Sequence, residues 1–287
     1  MQAAPELTTG VVVATHNRRE RVLATLDRLA ELQPEAPVVV VDNGSRDDTA
    51  THVRRRHPRI ELIPLSRNIG AAARTIGARA LAVPLVAISD DDSWWAAGAL
   101  RRAAQLFARR PQLGLIAARI LVGEEERLDP TCEDMRRSPL PRDPGLPGPA
   151  VLGFVACGSI VRRSAFLGVG GFHPRLGLGG EEHLLALDLA SAGWELAYVD
   201  DVVAHHHPAE GGRSARSRVQ RRNALWTLWL RRRLPSAIRH TARIARVART
   251  GGQAGALSAA ARGLPWILRE RRPVPTSVER AAQLLEG

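Results

Sequence analysis

Short, continuously apolar runs alternate with amphipathic stretches through the first 125 residues. Residues 11–14 form the first run, and Val22, Leu26 and Leu29 then repeat at the spacing of one helical face. Residues 38–41 form a second run, Asp47-Asp48-Thr49 opens the next helix, and Ile60, Leu62 and Pro64 mark a third short strand. The pattern continues as a helix over 70–81, a strand over 85–89, a helix from about 98 to 109 and a strand over 113–121. Strands that are short, apolar on both faces and separated by helices predict a mostly parallel, doubly wound α/β sheet covered on both sides. Right-handed crossovers would then bring the ends of the first, second and fourth strands to one edge. Residues 123–149, rich in Pro, acids and Arg, read as a long mobile loop, and 151–161 as a returning strand.

At 287 residues, 45% hydrophobic and 24% charged, the chain has enough apolar material for one large domain with an appendage. It contains no lysine, so all 41 basic residues are Arg. Schiff-base, pyridoxal and phosphate-loop lysine chemistry are thereby excluded. The charge is unevenly placed: residues 213–287 carry 17 Arg against 3 Glu, a net +14, and the rest 24 Arg against 26 acids, a net −2. The pair Gly211-Gly212 therefore marks an expected boundary between a catalytic domain, 1–212, and a basic helical region, 213–287. Cys132 and Cys157 have neither metal-ligand spacing nor a disulfide framework, and read as small buried hydrophobes in a reducing compartment. The first ten residues lack the pattern of a secretion signal, and no apolar run approaches the roughly 20 residues that cross a bilayer, so a cytoplasmic location is expected.

The chemistry gathers at the predicted strand ends. Asp90-Asp91-Asp92 directly follows the apolar run 85–88, and consecutive carboxylates repel unless a positive partner joins them. A divalent cation carrying a phosphorylated substrate would supply that charge; in extended backbone Asp90 and Asp92 face one way and Asp91 the other. The competing reading is an acidic cap on a helix after Trp94-Trp95. Thr15, Asn17 and Asp42 stand where a sheet of this kind binds a nucleotide's base edge and ribose. Asn43-Gly44 is also ordinary turn chemistry, and Asp47 and Asp48 suit helix caps. Either Trp94 or Trp95 could stack on a sugar, the other filling the core.

Taken in order, Thr15-His16-Asn17-Arg18, Val41 to Thr49, Arg67 to Arg74, and Asp90-Asp91-Asp92 resemble the signature of family 2 glycosyltransferases with the GT-A fold. The likeness continues in Gly170-Gly171-Phe172, Gly180-Glu181-Glu182, Ala192-Gly193-Trp194 and His205-His206-His207, and covers about residues 10–208. The resemblance implies that Thr15, Asn17 and Asp42 hold the nucleoside, with Asn43 and Asp91 also on the donor side, Arg74 near the base or diphosphate, and Asp90 facing the ribose and metal. It makes Asp92 a ligand of Mn²⁺ or Mg²⁺, completed by His206 or His207, and Glu182 the base of an inverting displacement. Glu181 orients the acceptor or its loop, and Trp94, Trp95 and Gly158 are expected on the acceptor side. The family usually has Glu-Asp where this chain has Glu181-Glu182, and commonly Arg where it has Asp188, which implies a changed acceptor or a different helix surface. The expected donor is a UDP- or dTDP-sugar; the acceptor hydroxyl belongs to a lipid-linked compound, a glycan or a small molecule.

Two Trp, 226 and 229, lie among arginines from Arg221 to Arg233, and Arg239, Arg243 and Arg246 share a helical stripe with Ile238, Ala245 and Ala248 away from it. Helices of this kind lie flat on anionic membranes, which predicts peripheral attachment to the inner membrane face. The alternative is packing on the catalytic domain with a solvated basic face. A nucleic-acid footprint lacks any recognition motif, and a nucleotidyltransferase of similar fold would lack the Glu-Glu helix and the histidines.

Overall fold

The computed structural model describes residues 7–208, 213–250 and 254–286. The apolar runs become a parallel half-sheet: β1 (Thr9–Thr15), α1 (Arg19–Leu32), β2 (Val38–Asp42), α2 (Thr49–Arg56), β3 (Glu61–Pro64), α3 (Ala72–Ala80) and β4 (Leu85–Asp90). The chain continues through β5 (Ser93–Trp95), α4 (Ala99–Arg109), β6 (Leu113–Val122), β7 (Arg127–Leu128), α5 (Pro130–Arg136) and a 3₁₀ turn (Ala156–Gly158). Next come β8 (Ser159–Arg162), α6 (Arg163–Gly168), α7 (Glu181–Ser191) and β9 (Glu195–His206). The C-terminal helices are α8 (Arg213–Arg231), α9 (Leu234–Thr250), α10 (Ala254–Ala261), α11 (Leu264–Glu270) and α12 (Thr276–Leu284).

The strand order is β3-β2-β1-β4-β8-β6-β9-β5, with β7 on β6. β1 pairs in parallel with both β2 and β4, so Thr15 stands beside Asp42 and Ala14 beside Asp90. One row of carboxyl ends is thus built from three loops. β8 inserts antiparallel between β4 and β6. Valines 11 and 13 bury on the face covered by α1 and α4, and Val12 on the opposite face, which explains why these strands are apolar throughout.

Three expectations are corrected. Residues 123–149 are not wholly loop: β7 makes a hairpin on β6, and α5 starts at Asp129, whose side chain accepts from the Thr131 amide at 2.8 Å. Pro130 sits at its first turn, where a missing N–H costs nothing. Of the expected 151–161 strand only residues 159–161 are in a strand, β8, which runs on to Arg162. The acidic triplet leads into a strand rather than a helix, because β5 pairs antiparallel with β9, with Ser93 opposite His206.

The C-terminal helices fold back onto α7. Leu176 and Leu184 pack with Leu225, Trp226, Leu228 and Leu230, and a second cluster joins Leu187 to Val274, Val278 and Ala282. The tryptophans do not present themselves to an interface: Trp226 is buried, its Nε1 donating to the Ala260 carbonyl, and Trp229 donates to Thr241. Arg232 and Glu279 form a buried ion pair inside this layer. On α9, Ala237 and His240 bury, whereas Ile238 is 57% exposed beside Arg239 and Arg243. Ala248 has no described side chain.

Asp188 explains its own departure from the family pattern. It pairs with Arg231 of α8 through both carboxylate oxygens, which ties the catalytic layer to the C-terminal one. Asp188→Ala should lower the unfolding free energy by about 2 kcal/mol, the usual cost of a lost charge-assisted hydrogen-bond pair that is largely buried. Asp188→Arg should cost more by opposing two guanidinium groups. Urea unfolding of the variants measures both.

Candidate active site

The site is assembled along the carboxyl ends of β1, β2 and β4. Asn17 has a positive φ of 52°, a conformation Asn tolerates well. From there its side-chain oxygen accepts from the Arg46 amide at 2.7 Å, while its backbone N–H donates to Ser45 Oγ at 2.9 Å. Asp42 is buried and accepts from the Ser45 amide at 2.9 Å. Asn43 commits its side chain to the Gly70 carbonyl and the Ile69 amide, at 3.1 and 2.8 Å, and so shapes the loop before α3. Thr15, Asn17, Asp42 and Asn43 therefore meet at one edge, with much of their hydrogen-bonding capacity joining loop to loop.

The acidic triplet draws its compensating charge from arginines. Asp90 pairs with Arg74, which is 5% exposed and lies 3.9 Å from Glu181. Asp91 turns the other way and accepts from Thr15 Oγ1 at 3.0 Å and Arg18 at 3.1 Å. Asp92 takes Arg18 at 2.8 Å, Arg21 at 3.8 Å and His206 at 3.4 Å. Arg18 was not among the expected site residues; its motif gave no sign that the guanidinium would bridge two carboxylates across a sheet edge. Burial pushes the Asp91 carboxyl up to about 6, against the pull of Arg18. Burial would also raise Asp92, but His206 and Arg18 outweigh it and hold it below the usual range. The same contact raises His206 despite its burial.

The three histidines separate as strand alternation requires. His206 turns to Asp92, whereas the rings of His205 and His207 lie 5.6 and 4.7 Å from Trp94. The expectation of His207 as a metal ligand is corrected on this geometry, and only its backbone amide meets Asp92, at 2.8 Å to the carbonyl. The acceptor-side reading of Trp94 and Trp95 is corrected too. Trp94 is 7% exposed, with Arg28 over its ring, and Trp95 is fully buried, so neither offers a face to a sugar. Gly158 points inward: a Cβ there would meet Ile120 at 2.5 Å.

Its neighbour Cys157 is the surprise. One donor atom each from Asp90, Cys157 and His206 lie within 4.8 Å of one another. Carboxylate oxygens and imidazole suit a divalent cation, so the side chains present fit a metal of this class. No local pattern marks the thiol, because its partners are 67 residues before it and 49 after.

Glu181 and Glu182 open α7 beyond a glycine-rich loop. Glu181 is 1% exposed, accepts from the Gly179 amide, and rises to about 7 through burial and the neighbouring charge of Glu182. Half-buried Glu182 is also raised, chiefly by burial, with Asp90 adding repulsion and Arg74 opposing it. The loop is strapped from two sides. Gly177 O accepts from the Ala71 amide at 2.9 Å, and the fully buried Asn223 of α8 donates to the Leu176 and Gly179 carbonyls at 2.8 and 2.7 Å. Asn223 escaped sequence reading because it lies in the basic region, remote from every motif.

Comparison with known proteins places the chain among enzymes. A family model described as "Glycosyl transferase family 2" matches residues 10–169. An N-acetylglucosaminyl-diphospho-decaprenol L-rhamnosyltransferase of Mycobacterium tuberculosis is 30% identical over 224 residues, 66% of this chain and 72% of the relative. Among solved structures, the mannosyltransferase PcManGT from Pyrobaculum calidifontis, in complex with GDP-Man and Mn²⁺, superposes with a TM-score of 0.59 at 21% identity, covering 98% of this chain and 79% of that one. S. aureus TarS 1-349 in complex with UDP-GlcNAc gives 0.62 at 16% identity, over 78% of this chain and 65% of that one. The fold is GT-A, as expected.

The raised Glu181 carboxyl fixes the sign of a pH dependence. Between about 4.5 and about 7 the folded state holds a proton that the unfolded state has lost, so this group's contribution to stability falls as pH rises through that window. Glu181→Gln should flatten the decline and gain stability at pH 8 relative to the parent. Thermal melts from pH 5 to 8 read the difference, and a slope unchanged by the substitution removes the assignment.

Proposed function

The chain belongs to glycosyl transferase family 2, and we propose that it moves a sugar from a nucleotide-diphosphate donor to an acceptor hydroxyl in one inverting, cation-assisted displacement. The carrying observation is the meeting of Asp90, Asp92 and His206 at the carboxyl edge of the parallel sheet, with Glu182 across Arg74. Thr15, Asn17 and Asp42 would receive the nucleoside at that edge. Asp92 and His206, with Asp90 beside them, would hold a divalent cation whose charge stabilises the departing diphosphate. That PcManGT is solved with GDP-Man and Mn²⁺ and TarS with UDP-GlcNAc supports this reading of the donor side.

Glu182 takes the acceptor's proton as its oxygen attacks the anomeric carbon. A carboxyl raised by burial is a stronger base than a free one. Arg74, held between Asp90 and the Glu pair, keeps the two acidic groups in register. Glu182→Gln should cut turnover by about 10² to 10⁴ with donor affinity little changed, the usual contribution of a general base. Asp92→Asn should abolish the dependence on Mn²⁺. A screen for Mn²⁺-dependent release of UDP, dTDP or GDP reads both, and full turnover in either variant overturns its assigned role.

The acceptor we favour is lipid-linked, on the strength of the relative that acts on a diphospho-decaprenol compound. No helix among the described residues is long and apolar enough to cross a membrane. Attachment would instead be peripheral and cytoplasmic: Leu234 and Ile238 stand 52% and 57% exposed one turn apart on α9, beside exposed Arg239, Arg243 and Arg246. Each arginine near an anionic surface adds about 1 kcal/mol. Replacing all of Arg239, Arg243 and Arg246 by Glu should abolish flotation with vesicles containing anionic lipid, and unchanged flotation would remove the membrane from the proposal. Arg222, Arg231, Arg232 and Arg271 are engaged in packing contacts, which weakens a nucleic-acid footprint.

A further inference from the structure

We propose that Cys157 is itself a ligand in the cation site, which makes it a mixed oxygen, nitrogen and sulfur site that takes borderline cations such as Co²⁺ and Zn²⁺ through a metal–thiolate bond. The proposal rests on Asp90 and His206 belonging to that site. The thiol is 2% exposed, and among the described residues its sulfur has no hydrogen-bond partner. It lies within 4.8 Å of a carboxylate oxygen of Asp90 and a ring nitrogen of His206, and that imidazole is 3.4 Å from Asp92. A buried hydrophobe would have no need to stand among these donors.

The backbone holds it there. Cys157 is the middle residue of the 3₁₀ turn, closed by the Gly158 amide on the Val155 carbonyl at 3.1 Å and by Ser159 Oγ on the Ala156 carbonyl at 2.8 Å. Gly158 lies so close to the Ile120 side chain that a Cβ there would meet it at 2.5 Å. Binding would form the metal–sulfur bond and release the thiol proton to solvent, with no change of oxidation state. Carboxylates and water alone favour Mg²⁺ or Mn²⁺, and sulfur shifts preference toward softer ions.

Cobalt tests this on the full-length protein without knowledge of the sugar. Titration with CoCl₂ should produce visible ligand-field bands together with a near-ultraviolet thiolate-to-cobalt charge-transfer band. Cys157→Ser should lose the charge-transfer band and keep the visible ones, while Cys132→Ser keeps both. In competition with Mn²⁺, Cys157→Ser should weaken Zn²⁺ on the order of tenfold or more, and release one proton fewer per Co²⁺ bound. Visible bands without charge transfer in the parent would overturn the role of Cys157 and leave the cation reading intact. Absence of any cobalt spectrum would overturn both, and a charge-transfer band surviving in Cys157→Ser would assign the sulfur elsewhere.

Discussion

Everything at the sheet edge depends on how three consecutive carboxylates are kept from repelling one another. Arg74 comes from the helix before their strand and Arg18 from the loop after the first strand; they pair with Asp90 and with Asp91 and Asp92, and Arg21 and His206 add to the compensation at Asp92. Asp91 turns inward to join the β1 loop to β4 through Thr15, Asp92 is buried against Arg18 and His206, and Asp90 is the more exposed of the three. The triplet thus divides: Asp91 ties two strands of the scaffold together, and Asp90 and Asp92 pair with side chains from α3, the β1 loop and β9. A cation arriving at Asp92 would compete with Arg18, so the arginine already occupies part of the electrostatic role expected of a metal.

The second acidic centre follows the same logic with the opposite balance. Glu181 and Glu182 are adjacent, burial disfavours their charges, and Arg74 compensates only in part. Because Arg74 also pairs with Asp90, the acidic triplet and the Glu181-Glu182 pair share one guanidinium. The glycine-rich loop that presents the pair is held by Gly177 on Ala71 and by Asn223 on two carbonyls. The basic C-terminal region is therefore a structural partner of the catalytic edge. Its apolar residues pack on α7, and Asp188 with Arg231 fixes the contact electrostatically.

Sequence alone determined the strands β1 to β4 and the helices between them, because a fully buried parallel strand leaves an uninterrupted apolar run and an amphipathic helix leaves a 3.6-residue period. It also determined the family and the row of loops holding Thr15, Asn17, Asp42 and Asp90, since parallel strands must end on the same side. Only the tertiary structure decided the rest. The burial of both Trp94 and Trp95 follows from β5 pairing with β9, a contact between segments more than a hundred residues apart. Arg18 on Asp92, Cys157 beside Asp90 and His206, Asp188 on Arg231, and Asn223 on the α7 loop are likewise long-range pairings. Local propensity and periodicity carry no record of them, because each is fixed by which elements the packed sheet brings side by side.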